Sequence, residues 1–296
     1  MGYYLLLFIS LLASAAGTVA RKYYTDQSGP SLSGRCIFMV ASSLVAALCL
    51  ALVGDLCVPS SFTLWLSVLF GLITALQGIA MLSAMRLGPV SYTMMFASFS
   101  TVVTALSGVL FFNENITPLK GIGILLMLVS LVFAVEREKD KKKGGLAWLL
   151  LCIAVFLGTG GIGLMQKVHQ TSAYKNELDI FLVLAFIVTA AVALVAVLIS
   201  RRGKAEEAAL FRGLSRGRLI FLLAVMLGGG VCVAINNKLN LFLSGVMETS
   251  VFFPIANGGA VALSTLAAFF LFKERLSLRR WIGLLIGVLS VILLCI

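Results

Sequence analysis

Apolar residues follow one another along this chain in long runs, broken by short stretches of charge, proline or turn residues. The runs cover roughly 3–20, 34–54, 63–85, 90–112, 118–135, 146–168, 178–199, 217–239, 247–271 and 278–296. Each is too long for a strand, and a hydrocarbon core of roughly 30 Å takes about 20 apolar residues wound as a helix. Backbone groups in hydrocarbon have to be satisfied within their own segment, so the pattern predicts an all-α integral membrane protein of about ten transmembrane helices. Leu5 to Leu12 followed by Ala13-Ser14-Ala15 has the apolar core and small residues of a signal peptide. No basic residue precedes it and Arg21-Lys22 follows, so it reads as the first span.

Composition strengthens this. Apolar residues make up 60% of the 296 and charged residues only 12%, so folding alone does not hide the apolar surface from water and lipid is the solvent. The net charge of +11 sits in the breaks between runs, where it orients helices in a membrane and does not form a nucleic-acid surface. Six cysteines, none in a CxxC pair, read as small packing residues. No HExxH, GxSxG, paired carboxylates or His/Cys cluster occurs in a span, so no catalytic residue, metal or cofactor is expected. Gly158-Thr159-Gly160-Gly161-Ile162-Gly163 lacks the preceding strand and the Lys-Ser/Thr ending of a phosphate loop. Within a membrane helix such glycines let backbones approach, as do Gly228-Gly229-Gly230 and the Gly283/Gly287 spacing.

Three hydrophilic stretches stand out: Tyr23 to Ser33, Glu136 to Gly145 and Arg201 to Arg216. The middle one divides the chain into a five-span half at 1–137, a charged linker at 138–145 and a second five-span half at 146–296. Shifting the sequence by 160 positions superimposes Phe112 on Phe272, Glu114 on Glu274, Thr117 on Ser277, Gly123 on Gly283 and Ser130 on Ser290. Thr117 with Pro118, and Ser277, suit the cap and first turn of a new helix. Because each half holds an odd number of spans, equivalent loops face opposite sides, which predicts two inverted repeats. Loops after the odd-numbered spans carry 19 of the 23 Lys and Arg, leaving Lys120, Lys167, Lys175 and Lys238 for the other side. The positive-inside rule then places both termini outside.

Polar residues are costly in hydrocarbon, so those that persist there face a cavity or a partner helix. The densest cluster is Asn236-Asn237-Lys238 with Asn240, and the 160-residue shift puts Asn237 on Gln77. These amides either line a path for a polar solute or bond neighbouring helices while Lys238 reaches the interface. Pro254 interrupts the ninth span beside Asn257-Gly258-Gly259, with Phe252 and Phe253 as a candidate aromatic wall. Glu248 opens that span, either as a coupling group or as a favourable charge at a helix start. Gln166, Lys167 and His169 close the sixth span, and a lone His at a helix end reads as solvated and without chemistry.

The block Phe112-Asn113-Glu114-Asn115-Ile116-Thr117 leading into Gly121-Ile122-Gly123, and its partner Phe272-Lys273-Glu274-Arg275-Leu276-Ser277 leading into Ile282-Gly283, resemble the repeat-ending signature of EamA-type members of the drug/metabolite transporter superfamily. Leu82 to Pro89 resembles the stretch joining the third and fourth spans of that family. The resemblance implies two inverted five-helix repeats around a cavity drawn from spans 1, 3, 4, 6, 8 and 9, and export or exchange of a small metabolite in a bacterial plasma membrane. Ser14 and Thr18 in the first span and Tyr92 and Phe96 in the fourth join the candidate set on that ground. Small multidrug relatives carry an acid in their first helix; here that span has none. Expected partners are a small-molecule solute and membrane lipid, with no nucleic acid and with a homodimer left open. A lipid-linked head-group carrier, and more distantly an intramembrane enzyme or sensor, are the alternatives.

Overall fold

The computed structural model describes residues 2–28, 32–88, 90–134, 145–201, 215–272 and 277–295. The apolar runs become α-helices: α1 (Gly2–Ser28), α2 (Leu32–Val53), α3 (Ser61–Leu87), α4 (Val90–Phe112), α5 (Pro118–Ala134), α6 (Leu146–Thr171), α7 (Leu178–Arg201), α8 (Arg216–Val246), α9 (Thr249–Phe272) and α10 (Leu278–Cys295). Eight are long and apolar enough to cross a membrane, while α4 and α5 contribute the shorter apolar stretches Phe96–Phe112 and Pro118–Phe133. Among the described residues there is no strand. The chain is a multi-pass, all-helical membrane protein. Residues 138–144 of the linker expected at 138–145, and residues 273–276 of the second motif block, lie outside the described residues.

Helix starts follow the local chemistry. Ser60 caps α3 by accepting from the Thr63 N–H, and Ser215 caps α8 by accepting from that of Arg218. The expected Thr117 cap is present, its hydroxyl accepting from the Lys120 N–H at 3.3 Å ahead of a first turn opened by Pro118. α4 stops at Asn113, whose φ of 56° is a left-handed conformation that asparagine tolerates better than most residues. Two helices run further than hydropathy alone indicates. α1 continues to Ser28 through Arg21 and Lys22, and α8 runs on through Asn236-Asn237-Lys238 and Asn240 to Val246.

The packing order is informative. α1 packs on α8 as α3 does on α6; α2 on α8 as α3 on α7; α1 on α9 as α4 on α6; and α2 with α7, α4 with α9, and α5 with α10. Exchanging the first five helices for the last five turns this set into itself. Direction follows from the contacts. Along α4 and α9, Glu114 meets Thr249 and Thr101 meets Asn257, so the two run antiparallel. Along α4 and α6, Trp148 reaches Thr93, and Thr104 would meet a Cβ on Gly163, so these run parallel.

The α5/α10 seam repeats one contact twice. The Ser130 hydroxyl donates to the Gly283 carbonyl at 2.7 Å, and the Ser290 hydroxyl donates to the Gly123 carbonyl at 2.7 Å. Those four residues are two pairs related by the 160-position shift, so each helix gives the other what it receives. Such interhelical bonds contribute roughly 0.6–2 kcal/mol each in lipid. The glycines let the seam close: a Cβ on Gly123 would stand 2.9 Å from Leu294, and one on Gly287 would stand 2.7 Å from the Ser130 hydroxyl.

Candidate functional site

Hydroxyl and amide groups bond across three helix pairs in the middle of the helix assembly. Gln77 of α3 donates to the Thr159 hydroxyl of α6 at 3.0 Å. Asn257 of α9 donates to the Thr101 hydroxyl of α4 at 2.9 Å. Asn236 of α8 donates to the Ser10 hydroxyl of α1 at 3.0 Å and to its carbonyl at 3.0 Å, while the Ser10 hydroxyl donates to Asn240 at 2.6 Å. Close approaches tie these pairs to one level. Gly160 of α6 lies against Val103 of α4, and Gly259 of α9 against Leu11 of α1, each beside a member of a neighbouring pair.

The result is a polar layer built from six helices, with the Thr101/Asn257 pair between the other two. Every member is buried or half-buried in a setting where an unpaired hydroxyl or amide is costly, so the pairs satisfy one another in this conformation. Gln77 and Asn257 each keep a donor and an acceptor beyond the bond made here, and Asn236 keeps acceptor capacity, which is what a polar guest requires. The nearest charge in sequence is Lys238, and it reaches the Asp179 carboxylate of α7 at 2.8 Å.

Other expected residues are placed differently. The Asn237 amide donates to the Val233 carbonyl of its own helix, so by its bonds the counterpart of Gln77 is Asn236, one position away from the partner that the shift selects. Phe252 and Phe253 are 0% and 5% exposed and belong to an apolar core with Leu7, Met127, Leu131 and Leu243, so they pack the helices and do not form an open wall. Ser14 and Thr18 continue the Ser10 stripe at i+4 and i+8, and the Thr18 hydroxyl donates to the Ser14 carbonyl. Phe96 is half-buried and meets Trp148 edge-to-face at 6.3 Å. The side chain of Tyr92 lies outside the described residues. Glu248 is half-exposed and paired with Lys120, nine residues from Asn257, or roughly 13 Å along the helix. It is a helix-end charge away from the polar layer.

The end of α6 overturns the expectation that His169 is solvated. Gln166, Lys167 and His169 are 5%, 6% and 0% exposed, and the His169 ring packs against that of Phe181, tilted by 30° with centroids 4.4 Å apart. The cause is a buried cluster that joins both halves. Glu114 accepts from the Thr249 N–H at 2.8 Å, the Thr249 hydroxyl at 2.7 Å and the Ser250 N–H at 3.1 Å, which makes it the cap of α9. Lys167 stands 3.2 Å from the same carboxylate, donates to the Met247 carbonyl at 2.9 Å and lies over the Phe112 ring. Burial pushes the Glu114 carboxyl up, but the bonds from Thr249 and Ser250 and the charge of Lys167 outweigh it and hold the carboxyl below its ordinary value.

Sequence reasoning singled out Glu114 as a repeat marker and missed its partner, because the shift that aligns Glu114 with Glu274 brings no lysine opposite Lys167. Ser10, Thr101 and Thr159 were also missed, since hydroxyl residues are frequent in membrane helices and carry no signal until a partner is in view. Three of the four lysines in the Lys-poor loops, Lys120, Lys167 and Lys238, are each paired with a carboxylate, of Glu248, Glu114 and Asp179.

No family model matches the chain, and no curated protein does. Twenty-eight solved chains resemble it in fold. One, described only as a crystal structure of protein, aligns with a TM-score of 0.72 at 15% identity over 99% of this chain and 96% of its own. That likeness concerns the fold alone.

Proposed function

We propose that this chain is a secondary transporter that moves a small polar metabolite, such as an amino acid, an amine or a similar solute, across the membrane by alternating access. In this reading its ten helices are two inverted five-helix repeats of the EamA-like plan, working as exporter or exchanger in a bacterial plasma membrane and not as an enzyme. One observation carries the reading: the mid-membrane layer of hydroxyl and amide pairs is shared between both halves, so rocking one half against the other exposes the same donors and acceptors to either side. The exchange of helix pairings and the reciprocal serine bonds of α5 and α10 support the repeat. The layer's own members carry no charge, which favours a solute recognised by hydrogen bonds.

Uptake or efflux of labelled metabolites in proteoliposomes tests the reading. A transported solute is expected among amino acids, amines, sugars and nucleosides, and Gln77→Ala or Asn236→Ala should lower its flux about tenfold, the value of one hydrogen bond of roughly 1.4 kcal/mol. Absence of flux across that panel, together with turnover of a lipid or peptide, would instead point to an enzyme. A lipid-linked head-group carrier has one observation in its favour, an open apolar groove of about 400 Å³ on α4, α5 and α6 lined by Phe99, Val102, Leu128, Val129, Val132 and Phe156. Strong stabilisation by a lipid-linked sugar, without flux of free solutes, would select it.

A further inference from the structure

The helix pairings depart from exchange symmetry where α6 meets α8 and where α9 meets α5. α6 packs against α8, whereas among the described residues α1 makes no comparable packing with α3. α9 packs against α5, whereas among the described residues α4 makes no comparable packing with α10. The α6/α8 contact lies at the end where α6 and α8 finish, with Gln170 so close to Gly245 that a Cβ there would stand 2.8 Å from it. At this same end Glu114, from the first half, holds the start of α9 and Lys167, from the second.

We propose that Glu114 and Lys167 form a gate that closes the polar layer at the end where α4 finishes and α9 begins, and that the structure is the conformer open at the opposite end. The proposal rests on the transport reading and assigns its moving part. Drawing the halves apart at this end takes the Glu114 carboxylate away from two backbone N–H groups, a hydroxyl and an ammonium at once. Their side chains are 9% and 8% exposed, so little water is present to replace those bonds until the cleft has opened. Loss is therefore abrupt, which suits a two-position gate. Once water enters, both charges are hydrated, so the open position is not forbidden. Lys167 also binds the Met247 carbonyl, which ties the α8/α9 junction to the same closure. Glu248 and Lys120, at the same end, pair with each other and leave this cluster alone.

The test is one-sided thiol labelling, which needs no solute. Asn257→Cys is placed in the full chain with its six native cysteines replaced, and a membrane-impermeant maleimide is applied to either face of oriented vesicles. The single thiol should react from the face where α1 ends and be protected from the Glu114 face. Adding Glu114→Gln or Lys167→Met should raise labelling from the Glu114 face by about tenfold, in keeping with loss of one charge-assisted bond. An oxidised Gln170→Cys/Gly245→Cys pair should suppress that gain. Equal labelling from both faces in the parent, or no gain with either variant, overturns the gate. If Glu114→Gln does not fold because it uncaps α9, Lys167→Met keeps the cap and carries the same outcomes. A gate that behaves this way in a chain that moves no solute would count against the transport reading and leave the gate standing.

Discussion

Removing the Ser130 and Ser290 hydroxyls asks whether the α5/α10 seam is a true pair of equal contacts. Each hydroxyl donates at 2.7 Å to a glycine carbonyl of the other helix, and each is buried, at 8% and 0% exposure. The acceptor carbonyls also take part in their own helices, so serine to alanine removes one interhelical bond without leaving an orphaned acceptor. The expected cost is therefore near the lipid value, about 0.6–1.7 kcal/mol for each. On α5 the two contacts sit at Gly123 and Ser130, seven residues and roughly 10 Å apart, beyond the range of strong coupling. Ser130→Ala and Ser290→Ala should then cost the same to within a few tenths of a kcal/mol, and the double variant should cost their sum. Reversible unfolding in mixed micelles, followed by tryptophan emission or helicity, measures all three. A cost above about 3 kcal/mol for one serine and near zero for the other, or coupling above about 1 kcal/mol, would refute the idea that the seam is built from two equivalent bonds.

Three further outcomes follow. Because the Glu114 pKa is depressed on folding, its stabilising contribution is complete above the unfolded-state value and is lost as pH falls through the folded one. Thermal unfolding in detergent should thus show a loss of stability below the ordinary carboxylate range that is absent in Glu114→Gln, and parallel curves would contradict the assignment. Gly123→Ala should destabilise by about 1–3 kcal/mol because its methyl group meets Leu294, and retention of full stability in the same micelle assay would show that the seam is looser than described. Single cysteines at Ser28 and Asn115 should label from opposite faces, with Ser28 cytoplasmic as the loop charges require; labelling of Ser28 from outside would reverse the orientation.

Hydropathy alone determined the class of this protein and the approximate place of its helices, because solvation by lipid acts on each segment separately and leaves its mark in local composition. The Thr117 cap was legible for the same reason, since capping is complete within four residues. Gln77, Asn236 and Asn257 were legible as costly polar groups, though not the partner of any one of them. Which hydroxyl meets which amide, why Asn236 and not Asn237 crosses to α1, and why Lys167 is buried were decided by tertiary structure. These depend on the relative rotation and direction of helices far apart in sequence, and a side chain's role in lipid is set by what another helix brings opposite it.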